Sequence, residues 1–87
     1  MSQITWIEVD LNAIEHNLKA IKSMVGSGAE ILAIVKADAY GHGAVKVSQT
    51  LEQNGIGMLG VAFPEEGIEL RKNSINIPIL ILNPVLS

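Results

Sequence analysis

The sequence predicts an α/β fold built around a parallel sheet. Short apolar runs alternate along the chain with segments whose apolar residues recur at helical spacing. That alternation is typical of βαβ units. Right-handed crossovers would place the three strands that follow the first helix side by side, in chain order, in one sheet. The residues that leave the carboxyl ends of the strands are then expected at the edge where α/β proteins hold their functional sites.

The first third of the chain predicts a short strand and a helix. Residues 5–9 read as a short strand, with Thr5, Ile7 and Val9 on one side and Trp6 and Glu8 on the other. Asp10 or Asn12 follows and is placed to cap a helix. Gly26 and Gly28 end this helix. Its apolar stripe consists of Ile14, Leu18, Ile21 and Val25.

Three continuous apolar runs and two helices are predicted in the rest of the chain. The runs predicted as strands are 31–35, 58–63 and 77–82. The first intervening helix is expected over 44–53, with Gly55 behind it as a terminator. Its inward-facing residues are Ala44, Val47 and Leu51.

The last predicted helix carries acidic residues at its start and basic residues at its end. Pro64 suits its first position, and Glu65 and Glu66 suit the positive end of the helix dipole. Arg71 and Lys72 close the helix at its negative end.

The composition argues against several classes of protein and of binding site. The 87 residues suffice for one small domain, and the net charge of −3 argues against a nucleic-acid surface. Without cysteine there is neither a disulfide framework nor a thiolate metal site. The N-terminus lacks the pattern of a signal peptide, and the apolar stretch 75–86 is too short and too interrupted for a membrane helix. We therefore expect a cytoplasmic protein without a membrane partner.

The octapeptide KADAYGHG, residues 36–43, follows the apolar run 31–35 directly. A strand-end lysine held away from water is a nucleophilic amine that forms a Schiff base with an aldehyde, of which pyridoxal phosphate is the common biological example. Tyr40 offers a hydroxyl to a phosphate, and the glycines and the following helix allow close backbone approach to it. Alternatively Lys36 simply extends into water, as many lysines do. Spacing alone leaves both interpretations open.

Other polar residues are expected to be structural. His42 stands between two glycines, where a helix-start or hydrogen-bonding role is more usual than catalysis. Asp38 and His42 lack a third partner for a metal ion, so no metal site is predicted. Trp6 is expected to pack, and the adjacent Glu65 and Glu66 to stabilise a helix start.

Three segments resemble the alanine racemases. ILAIVKADAYGHGA, residues 31–44, is similar to the pyridoxal-phosphate lysine motif of that family. WIEVDLNAIEHNL, residues 6–18, resembles the family's N-terminal segment. GMLGVAFPEEGIELRKNSINIPILIL, residues 57–82, resembles its second and third barrel strands with the helix between them. The resemblance covers nearly the whole chain, in the family's order and spacing.

The resemblance implies a fold, a cofactor and a reaction. Residues 1–87 would be the first three β/α units of a TIM-type (β/α)8 barrel that binds pyridoxal 5'-phosphate, without the family's C-terminal β domain. Lys36 would bind the cofactor and act as one of two racemisation bases, and Tyr40 would lie near the phosphate. The parent enzyme would be a homodimer that interconverts L- and D-alanine, its amino-acid substrate, and supplies D-alanine for peptidoglycan.

Several parts of such an enzyme are missing from these residues. In the family the second base is a tyrosine of the partner subunit, and an arginine contacts the pyridine nitrogen. Here Tyr40 is the only tyrosine and Arg71 the only arginine, and Arg71 matches a different family segment. A complete barrel takes roughly 250 residues. We therefore expect the chain alone to be inactive as a racemase and to be a piece of a larger protein.

Two other functions stay open. One is a non-catalytic pyridoxal-phosphate-binding barrel that buffers or delivers the cofactor, although the lysine segment of such proteins usually lacks a YGHG continuation. The other is a folding or assembling piece without a ligand. The related decarboxylases usually carry an asparagine soon after the lysine, where this chain has Asp38 and Tyr40.

Overall fold

The computed structural model describes residues 4–10, 14–36 and 42–82, apart from the side chains of Glu15 and His42. These residues form alternating strands and helices. In chain order they are β1 (Ile4–Val9), α1 (Ile14–Gly26), β2 (Glu30–Val35), α2 (His42–Gln53), β3 (Met58–Val61), α3 (Pro64–Lys72) and β4 (Ile79–Ile81). The strands form one sheet in the order β1-β2-β3-β4, with every neighbouring pair parallel. The predicted parallel α/β fold is therefore confirmed.

The sheet contains one strand more than the sequence predicted. We expected three neighbouring strands after a leading helix, whereas β1 also joins the sheet. It pairs with β2 along its whole length, from Ile4 opposite Glu30 to Val9 opposite Val35. The backbone groups on that edge of β2 need hydrogen-bond partners, and the extended residues of β1 supply them.

Two strands are shorter than predicted. β3 ends at Val61, because the N–H groups of Ala62 and Phe63 both donate to Oε1 of Glu66 at 2.9 Å. These two residues therefore belong to the start of α3. β4 comprises three residues, although the backbone hydrogen bond from Leu82 N to Val61 O (2.6 Å) continues the pairing beyond it.

The hydrophobic core lies between the sheet and its helices. The odd-numbered residues of β2 are buried there together with the inward residues predicted for α2. These residues are Ile31, Ala33, Val35, Ala44, Val47 and Leu51. The helices end as predicted, since Gly28 and Gly55 follow α1 and α2 with φ of +86° and +92°, a backbone region that favours glycine.

The opposite side of the sheet, here called the open face, is formed by the alternate strand residues. They are Trp6, Glu8, Leu32, Ile34, Met58, Gly60 and Leu80, which the strand register places next to one another. Trp6 is 59% exposed and Leu80 43% exposed. The expectation that Trp6 packs is therefore wrong for this chain, because α1, α2 and α3 cover the other face.

None of the helices described here is long and apolar enough to cross a membrane.

Candidate functional site

Lys36 lies directly after the last residue of β2, at the carboxyl edge of the parallel sheet. Its backbone N–H donates to the carbonyl oxygen of Val9 at 3.2 Å. This bond extends the β1–β2 pairing by one residue and fixes the backbone of the lysine. Because Leu32 and Ile34 alternate with the core residues of β2, Lys36 continues their row on the open face.

The side chain of Lys36 reaches water and is paired with an acid. It is 61% exposed, and its Nζ lies 3.0 Å from Oε1 of Glu8, whose side chain is 63% exposed. The sequence left open whether the lysine would be withdrawn from water or extend into it. In this chain it extends into water, because it projects beyond the end of β2 on the face opposite the described helices.

Glu8 was not predicted as a site residue. The register places it opposite Ile34, one alternate position before Lys36 on the neighbouring strand. Its side chain therefore projects from the same face of the sheet as that of Lys36. The alternation of residues 5–9 already put Glu8 on the same side of a strand as Trp6. The missing information was that this strand pairs with the one that carries the lysine.

The cavity beside the end of β2 on the helix-covered face is too small for a cofactor. It measures about 20 Å³ and is lined by Val35, Ala44, Val45, Val61, Glu66, Glu69 and Leu70. This is room for about one water molecule. Any larger ligand of Lys36 must therefore approach from the open face, where Nζ already lies.

α2 begins at His42, which confirms the expectation of a helix-start residue there. Because only six residues separate the end of β2 at Val35 from the start of α2 at His42, the amino end of this helix lies near the carboxyl edge of the sheet, and such ends attract anions. Residues 37–41 lie outside the described part of the chain. The roles predicted for Tyr40 and Asp38 therefore stay predictions.

Arg71 lies far along the chain from this site and has a structural role. Its Nη1 donates to the carbonyl oxygens of Ile75 (2.8 Å) and Ile77 (2.9 Å), just before β4. These carbonyls precede a parallel strand, so they lie toward the edge of the sheet opposite Lys36. Among residues 4–10, 14–36 and 42–82, no three acidic, histidine or cysteine side chains gather in a way that could hold a metal ion.

The donor set suits a phosphorylated aldehyde. A primary amine can add to an aldehyde carbon. The Nζ of Lys36 is accessible, and the backbone of this residue is held by the sheet. The amino end of α2 favours a negatively charged group nearby. Pyridoxal phosphate combines these two functional groups, so the residues present fit this cofactor.

The family model and the related sequences that match this chain all belong to the same family. Residues 9–87 match the family model described as "Alanine racemase, N-terminal domain". The alanine racemase of Nostoc sp. is 52% identical over 81 residues, which is 93% of this chain and 21% of that protein. The alanine racemase of Halothermothrix orenii is 46% identical over 82 residues, which is 94% of this chain and 22% of that protein. The chain thus spans about a fifth of the length of these relatives.

A solved structure shows the same likeness in three dimensions. An alanine racemase of Clostridium difficile 630 superposes with a TM-score of 0.69 at 44% sequence identity. The superposition covers 91% of this chain and 21% of the other. The parallel β/α units described above are therefore part of a TIM-type barrel. On sequence and structure together, the chain belongs to the alanine racemase N-terminal domain family.

Proposed function

We propose that the chain is the N-terminal part of a pyridoxal-phosphate-dependent enzyme that interconverts L- and D-alanine, with Lys36 as the residue that binds the cofactor. One observation carries the proposal. The lysine of the KADAYGHG segment directly follows β2 at the carboxyl edge, with its backbone N–H bonded to Val9 and its Nζ on the open face. The family of the chain and the names of its relatives support the reaction.

Each residue has a role that follows from its chemistry. Bound pyridoxal phosphate would act as an electron sink for a carbanion next to an amino group. Lys36 would hold the cofactor through Nζ and, when released from it, accept or return the α-proton on one face of the amino acid. The hydroxyl of Tyr40 and the amino end of α2 would receive the phosphate.

The other catalytic residues that racemisation needs would lie outside these 87 residues. Racemisation needs a base on each face of the substrate, and Lys36 supplies only one. The relatives are more than four times as long as this chain, which leaves room for the second base and for a partner of the pyridine nitrogen. We therefore propose that this chain alone does not racemise alanine. In the parent enzyme we propose a cytoplasmic homodimer whose D-alanine enters peptidoglycan.

A non-catalytic pyridoxal-phosphate-binding barrel is the alternative. It would use the same strand-end lysine, so the position of Lys36 does not discriminate between the two functions. The family model and the names of the relatives favour the racemase.

Chemical trapping tests the role of Lys36. The 87-residue chain would be mixed with pyridoxal phosphate, reduced with borohydride and digested, and the adducts located by peptide mass. We expect the adduct preferentially at Lys36, and we expect Lys36→Ala to lose it. Lys46→Ala, which removes an exposed lysine of α2, is the matched control and should leave that adduct unchanged. Equal labelling of all five lysines would contradict a preformed cofactor site in this chain.

A further inference from the structure

We propose that Glu8 is a positioning residue for Lys36. Its carboxylate holds Nζ on the open face while no cofactor is bound, and it competes with the aldehyde of the cofactor for that nitrogen. The inference rests on the proposed function of Lys36 and adds a second residue to the same site.

The ion pair is fixed by the sheet on both sides. Glu8 lies opposite Ile34 in the β1–β2 register, and the N–H of Lys36 donates to Val9, the residue after Glu8. Both backbones are thus held by strand pairing. A slip of β1 by one residue would move Glu8 to the helix-covered face, so the contact depends on this register. The resulting Nζ–Oε1 distance is 3.0 Å.

The pair contributes little to folding, which makes its effect on Lys36 separable from stability. Both side chains are more than half exposed, and exposed ion pairs stabilise proteins only weakly. Replacing Glu8 should therefore leave the fold intact. Its consequence should appear in the reactions of the lysine nitrogen.

Cofactor binding uses the same nitrogen. The ammonium of Lys36 would first lose a proton to water, and the free amine would add to the aldehyde carbon. The aldehyde oxygen would leave as water as the carbon–nitrogen double bond forms, and uptake of a proton would return the positive charge to the nitrogen. No oxidant or reductant is needed. The nitrogen is then held by the cofactor rather than by Glu8, so an interaction made only in the cofactor-free state opposes binding by its own free energy.

The experiment compares three variants with the unaltered chain at limiting pyridoxal phosphate, followed by rapid reduction with borohydride. Glu8→Gln removes the charge and keeps the size, whereas Glu8→Asp keeps the charge. Glu30→Gln is the matched control, because Glu30 is an exposed acid at the other end of β2. The readout is the adduct at Lys36 divided by the mean adduct at the other lysines of the same sample. Circular dichroism checks that each variant is folded.

We expect Glu8→Gln to raise this ratio by about two- to five-fold, the size of one exposed ion pair. Glu8→Asp should stay near the unaltered chain, and Glu30→Gln should change nothing. An unchanged or lower ratio in Glu8→Gln, or an equal rise in Glu30→Gln, would overturn the proposal. The ratio remains readable even if Lys36 is not labelled preferentially in the unaltered chain. Failure of the cofactor role and failure of the Glu8 role are therefore distinguishable.

Discussion

At the scale of single residues, Lys36 and Ser48 differ in whether their polar groups reach water and a partner. Lys36 lies at a strand end, where its long side chain reaches water and Glu8. Ser48 lies inside α2 with no exposed surface, and its Oγ finds no hydrogen-bond partner within the described part of the chain. Buried hydroxyls without partners are uncommon in folded proteins and destabilise them.

Replacement of Ser48 by alanine should therefore stabilise the chain. Removing an unsatisfied buried hydroxyl and improving helix propensity together should raise the free energy of unfolding by about 1 kcal/mol. Urea denaturation followed by circular dichroism would measure the change. Ser23→Ala, at an exposed position of α1, controls for helix propensity alone and should give a smaller gain. A loss of stability in Ser48→Ala would contradict the absence of a partner.

At the scale of elements, glutamates of two helices accept backbone N–H groups of neighbouring loop residues. Glu66 accepts the N–H groups of Ala62 and Phe63 at the start of α3. Glu52 of α2 accepts the N–H groups of Asn76 (2.8 Å) and Ile77 (3.3 Å), which links α2 to the segment before β4.

Loss of the Glu66 carboxylate should loosen the start of α3. We expect Glu66→Ala to lower the free energy of unfolding by roughly 0.5–2 kcal/mol, as for other helix caps, because two N–H groups lose their acceptor. Thermal denaturation would measure it. The neighbouring acid provides the control, since Glu65→Ala removes the same charge near the helix start without removing that acceptor. Equal effects of the two substitutions would mean that charge alone explains the role of Glu66.

At the scale of the whole molecule, the described helices all cover the same side of the sheet. The open face carries apolar side chains, among them Trp6 and Leu80, and β1 and β4 each have one edge that is unpaired within the described residues. In a closed barrel of the TIM type, the face opposite the helices is the interior, and no edge remains. The open face is therefore the part of this chain that a complete barrel would bury.

The 87-residue chain should consequently self-associate. Trp6 is the only tryptophan, so its fluorescence should shift to shorter wavelength as concentration rises and sedimentation shows larger species. Leu80→Lys should weaken the association by placing a charge on the open face. Gln49→Lys adds the same charge on the exposed surface of α2 and should have no effect. A monomer over the whole concentration range would contradict the importance of this face.

The sequence by itself determined the order of the elements, most of their boundaries and the lysine to examine. Apolar period, glycine terminators and the Pro64-Glu65-Glu66 helix start are local signals, and KADAYGHG marks Lys36 without any knowledge of the fold. Only the tertiary structure decided that β1 pairs with β2, that Trp6 is exposed and that Glu8 contacts Lys36. These features depend on which strands are neighbours and in which register. Such pairings are made between residues distant in sequence, and local patterns do not encode them.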